Sequence, residues 1–292
     1  MSQLFTGAGV ALITPFTSNK NIDYQALETI VENQVKGGMD YLVALGTTAE
    51  TSTLTAEEKS AVVELIKEKS AGLPVVVGMG GNDTQSIINQ IDKFNLEGVS
   101  GLLIVTPYYN KPSQEGMFRH YSEIAKASPL PIILYNVPSR TGVNLEAETV
   151  VRLANFSDKI VAVKEASGIH SQITLIAKNT PEHFSVISGD DVLSITIASI
   201  GGKGIISVIA NALPHKVSKL IHFALDGNFA EARKIHYELI EMVQLMFKEG
   251  NPGGVKALMH YLGIVENELR LPLYKIGNET YNEIKEAYLK LK

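Results

Sequence analysis

Eight short apolar runs recur along the chain, at residues 10–13, 41–45, 75–79, 102–105, 132–135, 160–164, 184–188 and 204–208. Each precedes a stretch of helical length with amphipathic spacing. The runs are nearly continuous in Val, Ile and Leu rather than alternating, which predicts parallel strands covered on both faces. Helix boundaries are also readable. Asp23 is placed to cap a helix whose Leu27, Ile30, Val31 and Val35 share one face. Thr55 and Glu58 have the spacing of a capping box, Val62, Leu65 and Ile66 lie on one side of the helix they begin, and Gly72 and Pro74 end it.

Eight βα units suit either a doubly wound open sheet or a closed (β/α)8 TIM barrel, and periodicity alone does not separate the two. Length is compatible with the barrel, since closed α/β barrels use about 250 residues around one core and this chain has 292. After about residue 225 no strand pattern remains, and residues 229–247, 255–262 and 279–291 read as helices. The expected arrangement is therefore an α/β barrel over residues 1–224 with a C-terminal helical extension over 225–292. The longest apolar passage, residues 193–214, is broken by Gly201, Gly202, Lys203 and Gly204. It reads as a buried helix, a loop and a buried strand rather than a membrane span.

Composition narrows the functional classes. Hydrophobic residues at 45% and charged residues at 20% are ordinary for a globular protein. A net charge of -5 with dispersed Lys and Arg offers no field for nucleic acid. The absence of cysteine removes disulfides, thiolate catalysis and thiolate metal sites together. Met1-Ser2-Gln3-Leu4 has neither the basic start nor the apolar run of a signal peptide, so cytoplasm is the default expectation.

Reactive side chains of a barrel project from the C-terminal ends of its strands. Just past each run stand Thr47 and Thr48, Tyr108 and Tyr109, Tyr135, Lys164, and Gly189-Asp190-Asp191. Lys164 ends a buried strand, where desolvation favours the neutral amine that attacks a keto group to form a Schiff base. By position alone, a lysine that reaches solvent or pairs with Glu165 is an equal alternative. Tyr135 is a candidate proton shuttle or a core tyrosine with a satisfied hydroxyl. Thr47 and Thr48 offer hydroxyls and loop N–H groups to a carboxylate, though by themselves they read as a turn. Arg140 is a forked donor for a carboxylate or a solvated surface arginine. Tyr108-Tyr109 forms a substrate wall, a subunit contact or an exposed aromatic pair.

Other chemistries lack their parts. No H-E-x-x-H pair, Walker lysine or complete G-x-G-x-x-G is present. Asp190-Asp191 reads as an acidic pair at a helix N-terminus rather than a metal site. Neither a cofactor nor a metal is expected.

Five segments taken together resemble the pyruvate-dependent class I aldolase family of barrels, which contains the N-acetylneuraminate lyases and, most similar here, the dihydrodipicolinate synthases. They are Gly46-Thr47-Thr48-Ala49-Glu50, Val105-Thr106-Pro107-Tyr108-Tyr109-Asn110-Lys111-Pro112, Tyr135-Asn136-Val137-Pro138-Ser139-Arg140-Thr141-Gly142, Lys164-Glu165-Ala166-Ser167 and Ser188-Gly189-Asp190-Asp191. The resemblance spans essentially the whole chain. It implies that Lys164 condenses with pyruvate, that the imine loses a methyl proton, and that the enamine attacks the aldehyde of L-aspartate 4-semialdehyde. It further implies that Thr47, Thr48, Gly189 and the Ile206 backbone line the pyruvate site, and that Tyr135 relays protons with Thr47 and Tyr109. Tyr109 would reach into a neighbouring subunit, in a homotetramer built as a dimer of dimers. Arg140 would receive the semialdehyde carboxylate, its loss costing about 1.5–3 kcal/mol or more of binding.

Two departures from the family pattern carry expectations. Ala49 stands where the family usually has glycine, so this position should not need a glycine-only conformation. Around the family's lysine-feedback site the chain keeps Asn82 and Tyr108 but has Ala56, Lys59 and Ser86 in place of the usual polar partners, which implies weak or absent inhibition by lysine. The competing readings are a sugar-acid lyase of the same superfamily, N-acetylneuraminate or 2-keto-3-deoxy, and a non-catalytic barrel that binds a keto acid.

Overall fold

A computed structural model describes residues 5–291; Met1–Leu4, on which the expectation about targeting rested, lie outside the described residues. Eight parallel strands close into a barrel in chain order. They are β1 (Gly7–Ala11), β2 (Tyr41–Ala44), β3 (Val75–Met79), β4 (Gly101–Val105), β5 (Ile132–Asn136), β6 (Ile160–Glu165), β7 (Ser185–Ser188) and β8 (Gly204–Ser207). The protein is a (β/α)8 TIM barrel. All eight expected strands are present, with ends moved by up to three residues. The largest shift is at β1, where Gly7 and Gly9 belong to the strand although their composition hides it.

Those glycines have a structural purpose. Gly7 lies opposite Gly204 in the β1–β8 pairing that closes the barrel, and a Cβ on Gly204 would fall 2.0 Å from the Gly7 carbonyl oxygen. A Cβ on Gly9 would meet the Tyr41 ring at 2.3 Å. Tyr41 crosses the barrel floor there, donating its hydroxyl hydrogen to the Ile205 carbonyl at 2.9 Å.

Helices follow the strands: α1 (Tyr24–Lys36), α2 (Ala56–Lys69), α3 (Thr84–Lys93), α4 (Gln114–Ala127), the short α5 (Pro138–Thr141), α6 (Ala147–Phe156), α7 (His170–Asn179), α8 (Ser194–Ser199) and α9 (Pro214–Leu225). Beyond them α10 (Phe229–Lys248), α11 (Gly253–Tyr261) and α12 (Asn278–Lys290) complete the chain, and no strand follows β8 among the described residues. Asp23 caps α1 by accepting from the Ala26 amide at 2.9 Å, and the Thr55–Glu58 capping box is formed. On α1, Val35 is only half-buried and Gln34 takes the inner position, reaching the Asn211 carbonyl. No helix among the described residues is long and apolar enough to cross a membrane.

Strand alternation produces two apolar layers. Val43, Leu103, Ile133, Ala162, Ile187 and Ile206 fill the barrel interior, while their neighbours Leu42, Leu102, Ile132, Val163 and Ile205 pack outward against the helices. Burying each of the Val, Leu and Ile side chains among them contributes about 1.5–3 kcal/mol relative to exposure. The same parity decides which polar residues face the barrel mouth.

His120, on α4, is buried in the outer layer with Nδ1 2.8 Å from the Thr84 hydroxyl and Nε2 without a hydrogen-bond partner. Burial, only partly opposed by Asp83, pushes its pKa down to about 4. A depressed folded-state pKa means that its stabilising effect is complete above the unfolded value near 6.5 and is lost as pH falls toward 4, by about 3 kcal/mol. Urea unfolding at pH 7 and pH 4.5 should therefore show a smaller acid-induced loss in His120→Gln than in the parent. Equal losses would refute this assignment.

Candidate active site

Parallel register brings the two central side chains together. Tyr135 on β5 lies directly opposite Lys164 on β6, and both belong to the inward-facing set. Lys164 is 5% exposed and Tyr135 7%. The amine Nζ sits 4.4 Å from the centroid of the tyrosine ring. No hydrogen bond or ion pair to Lys164 Nζ occurs within the described residues. Gly189, at the end of β7, makes room for the lysine stem. A Cβ there would lie 3.1 Å from Lys164 Cε, 2.9 Å from Ala166 Cβ and 3.1 Å from the Glu165 carbonyl. The Gly189 amide donates to that carbonyl at 2.7 Å, fixing the loop beneath the amine.

Glu165 does not pair with Lys164, which disposes of the ion-pair alternative. It is one residue further along β6 and so faces outward, where its carboxylate accepts from Asn136 Nδ2 at 2.5 Å, Gln172 Nε2 at 3.1 Å, and the Ser167 amide and hydroxyl at 3.2 and 2.5 Å. Burial raises its pKa although each of these donors works in the opposite direction. Asn136 is opposite Glu165 in the register. The two strands are thus tied behind the barrel wall, one step beyond the Tyr135–Lys164 pair.

After β2 come two 3-10 turns, Thr47–Ala49 and Thr51–Thr53, the first of which leaves Thr47 exposed and Thr48 buried. The Thr48 hydroxyl oxygen accepts from Asn251 Nδ2 at 2.9 Å. Positive φ falls on the flanking residues Leu45 and Glu50, both at 54°, and not on Ala49. Alanine therefore fits a position that needs no glycine conformation. Arg140, on α5, is exposed, and among the described residues its side chain makes one long hydrogen bond, from Nη2 to the Asn251 carbonyl at 3.4 Å. Ile206 is on the interior face of β8. Tyr108 is 43% and Tyr109 89% exposed, and Tyr109 adopts φ 68°.

The Asp190-Asp191 pair precedes α8, and Asp191 has a further part that its sequence does not show: buried, it accepts from the Ser207 hydroxyl at 2.5 Å and the Val208 amide at 3.0 Å, tying the β7 loop to β8. Burial raises its pKa against those two donors. No group of three or more His, Asp or Glu suited to a metal ion occurs among the described residues.

Asn251 was not anticipated. Its Nδ2 and its carbonyl connect Thr48 and Arg140, yet it lies just before α11, away from the strand ends where a barrel's reactive side chains project. In sequence, Asn251-Pro252-Gly253 reads only as a helix break. Lys256 was missed for the same reason: it is fully buried and paired with Glu50, beside the Thr47–Ala49 turn.

This constellation of an inward lysine, a tyrosine beside it and a hydroxyl-bearing turn can be compared with known proteins. A sequence model of the dihydrodipicolinate synthetase family matches residues 4–291. The chain belongs to that family. A 4-hydroxy-tetrahydrodipicolinate synthase of Parabacteroides distasonis is 49% identical over 98% of this chain and 96% of that one. The crystal structure of the Aquifex aeolicus dihydrodipicolinate synthase superposes with a TM-score of 0.94 at 41% identity, covering 98% of each chain. The chloride-inhibited Acinetobacter baumannii synthase, solved in complex with pyruvate, gives 0.95 at 35% identity over 98% of each chain.

Within this family member, the close fit at Gly189 makes the lysine position testable. Gly189→Ala should cost about 1–3 kcal/mol through overpacking and should slow keto-acid adduct formation at Lys164, because the methyl group displaces Cε. Thermal unfolding and the rate of borohydride-trapped adduct report the two effects. An unchanged trapping rate would show that Gly189 does not set the amine position.

Proposed function

We propose that this chain is a 4-hydroxy-tetrahydrodipicolinate synthase that condenses pyruvate, held as a Schiff base on Lys164, with L-aspartate 4-semialdehyde. The observation that carries this reading is the buried Lys164 amine, facing the barrel interior beside Tyr135 with no carboxylate among the described residues to hold it as an ion pair. Such an amine is able to add to the pyruvate keto carbon, and loss of water from the carbinolamine gives the imine. Removal of a methyl proton then gives an enamine, whose carbon attacks the aldehyde of the second substrate. Attack of the semialdehyde-derived amine on the imine carbon closes the ring and releases Lys164.

Tyr135 is the proton relay at these steps; its ring, with its centroid 4.4 Å from Nζ, places the phenol on the same interior face as the amine. Thr47 and Thr48 receive the pyruvate carboxylate, with the Gly189 loop and the Ile206 backbone completing its pocket. The Asn251 donation to Thr48 occupies a lone pair and leaves the hydroxyl proton free for that carboxylate. Arg140, exposed and with one side-chain hydrogen bond among the described residues, receives the semialdehyde carboxylate. Tyr109, at 89% exposure, suits a role in the site of a second copy, within a homotetramer made of two such dimers. No cofactor enters this scheme, and the reaction is that of a cytoplasmic enzyme.

Borohydride trapping tests the centre of the scheme. With pyruvate present, the peptide containing Lys164 should gain a pyruvate-derived mass, and Tyr135→Phe should lower turnover by about 10²–10⁴-fold, the usual worth of a positioned proton donor. A protein without adduct at saturating pyruvate is not this enzyme. Consumption of semialdehyde together with pyruvate separates the synthase from a sugar-acid lyase.

Lysine should inhibit weakly or not at all. Ala56 and Lys59 lie in the first turn of α2, Ser86 in that of α3, and none supplies an anion for a ligand ammonium group. The nearby Asp83 carboxylate is engaged by the Gln85 and Ser86 amides. Initial rates measured with added lysine check this, and strong inhibition at low lysine would overturn it.

A further inference from the structure

The chain buries a second lysine that takes no part in the proposed chemistry. Lys256, on α11, is fully buried with Nζ 2.5 Å from Glu50 Oε1, 2.8 Å from the Glu268 carbonyl and 4.2 Å from the centroid of the Phe16 ring. The other Glu50 oxygen accepts from the Arg270 amide at 2.9 Å. Arg270 also stacks on Phe16 with Cζ 4.5 Å from its centroid, and its guanidinium pairs with Glu58 at 2.6 Å. Lys20 and Lys275 face the Glu268 carboxylate. Burial pushes the Lys256 pKa down to about 8, with Glu50 pulling the other way. A desolvated charge pair of this kind is weak evidence for stability, since an apolar pair of equal volume often serves as well.

Its location suggests what else it does. Glu50 closes the Thr47–Ala49 turn in a left-handed conformation, φ 54° and ψ 36°, and its amide donates to the Thr47 carbonyl at 3.2 Å. Non-glycine residues reach that conformation only when the surroundings hold them there. One short segment does the holding at both places: Asn251 binds Thr48 and, five residues on, Lys256 binds Glu50. That segment is itself seated closely, because a Cβ on Gly254 would lie 2.1 Å from the Met246 carbonyl oxygen at the end of α10.

We propose that Lys256, with Glu50 as its counter-ion, is a positioning residue for pyruvate binding: the pair locks the Thr47–Ala49 turn in the orientation that presents its hydroxyls and amides to the substrate carboxylate. The proposal rests on the reading of Thr47 and Thr48 as the pyruvate-carboxylate subsite. Lys256 touches no substrate and acts through the turn. Loss of the lock lets the turn sample other orientations, so it weakens pyruvate capture while leaving Lys164 and Tyr135, on different strands, in register.

Steady-state kinetics and thermal unfolding of Lys256→Met and of the double variant Glu50→Gln/Lys256→Met test it. Both should show KM for pyruvate raised at least tenfold, with kcat changed less than threefold and the borohydride adduct still on Lys164 at saturating pyruvate. The double variant, which leaves no buried charge unpaired, should unfold at a higher temperature than Lys256→Met without regaining the wild-type KM. A pair that is only structural predicts that KM returns to normal as stability returns, and that outcome overturns the proposal, as does a KM within twofold of wild type in either folded variant. Glu50→Asp covers the case in which neither folds. It keeps both charges but shortens the tether by one methylene, and it should raise KM for pyruvate at least fivefold; an unchanged KM overturns the proposal. Absence of any wild-type adduct would instead defeat the Schiff-base reading, independently of these comparisons.

Discussion

The site depends on the two-residue alternation of a parallel strand. Lys164 and Glu165 are adjacent in sequence, and on a helix or a loop an ammonium and a carboxylate so close would be free to neutralise one another. On β6 they point to opposite faces. The amine enters the barrel beside Tyr135, and the carboxylate enters the layer behind, where Asn136, Ser167 and Gln172 satisfy it. A one-residue slip of β6 would exchange them, placing an acid where the proposed nucleophile stands. The register of β5 against β6 is therefore as much a part of the proposed chemistry as the lysine. The Asn136–Glu165 tie, made at the step beyond Tyr135–Lys164, helps to set it.

The same alternation explains why the fold could be read from the sequence and where the reading stopped. Strand interiors announce themselves as runs of Val, Ile and Leu because both faces are apolar, so β3 was located to the residue and β4 to β6 almost so. Closure was not visible in those runs. It lies in Gly7 against Gly204, residues almost two hundred positions apart whose missing side chains permit the last pairing. The start of β1 was hidden for a related reason. Gly9 carries no hydrophobic signal because the Tyr41 ring occupies the space that its side chain would fill.

Residues at strand ends were the legible part of the candidate site, since the barrel's geometry says in advance that such positions converge. Lys164, Tyr135, Thr48 and Gly189 are candidates by that rule. Asn251 and Lys256 come from a segment that precedes or enters α11, and only tertiary packing carries them to the turn after β2. A local pattern has no means of showing a contact between residues 50 and 256. The best available hint was Lys256 itself, which falls inside an apolar helical stretch, Val255 to Met259, where a charged residue requires a partner.

The two buried lysines show how one chain gives a single residue type opposite uses. A carboxylate in contact with an amine favours its charged form and withholds the lone pair that a nucleophile needs. Lys256 has such a carboxylate, a carbonyl and an aromatic ring around it, all of which suit an ammonium ion held in place. Lys164 has the ring of Tyr135 and the space above Gly189, with the nearest acid in sequence turned to the other side of the wall. The difference lies in neighbours and not in burial, for both side chains are out of solvent. An amine intended to react must be left without an anion, and an amine intended to hold a loop must be given one. On the proposed reading, exchanging those surroundings would leave the fold intact in outline while removing both the proposed reaction centre and its proposed support.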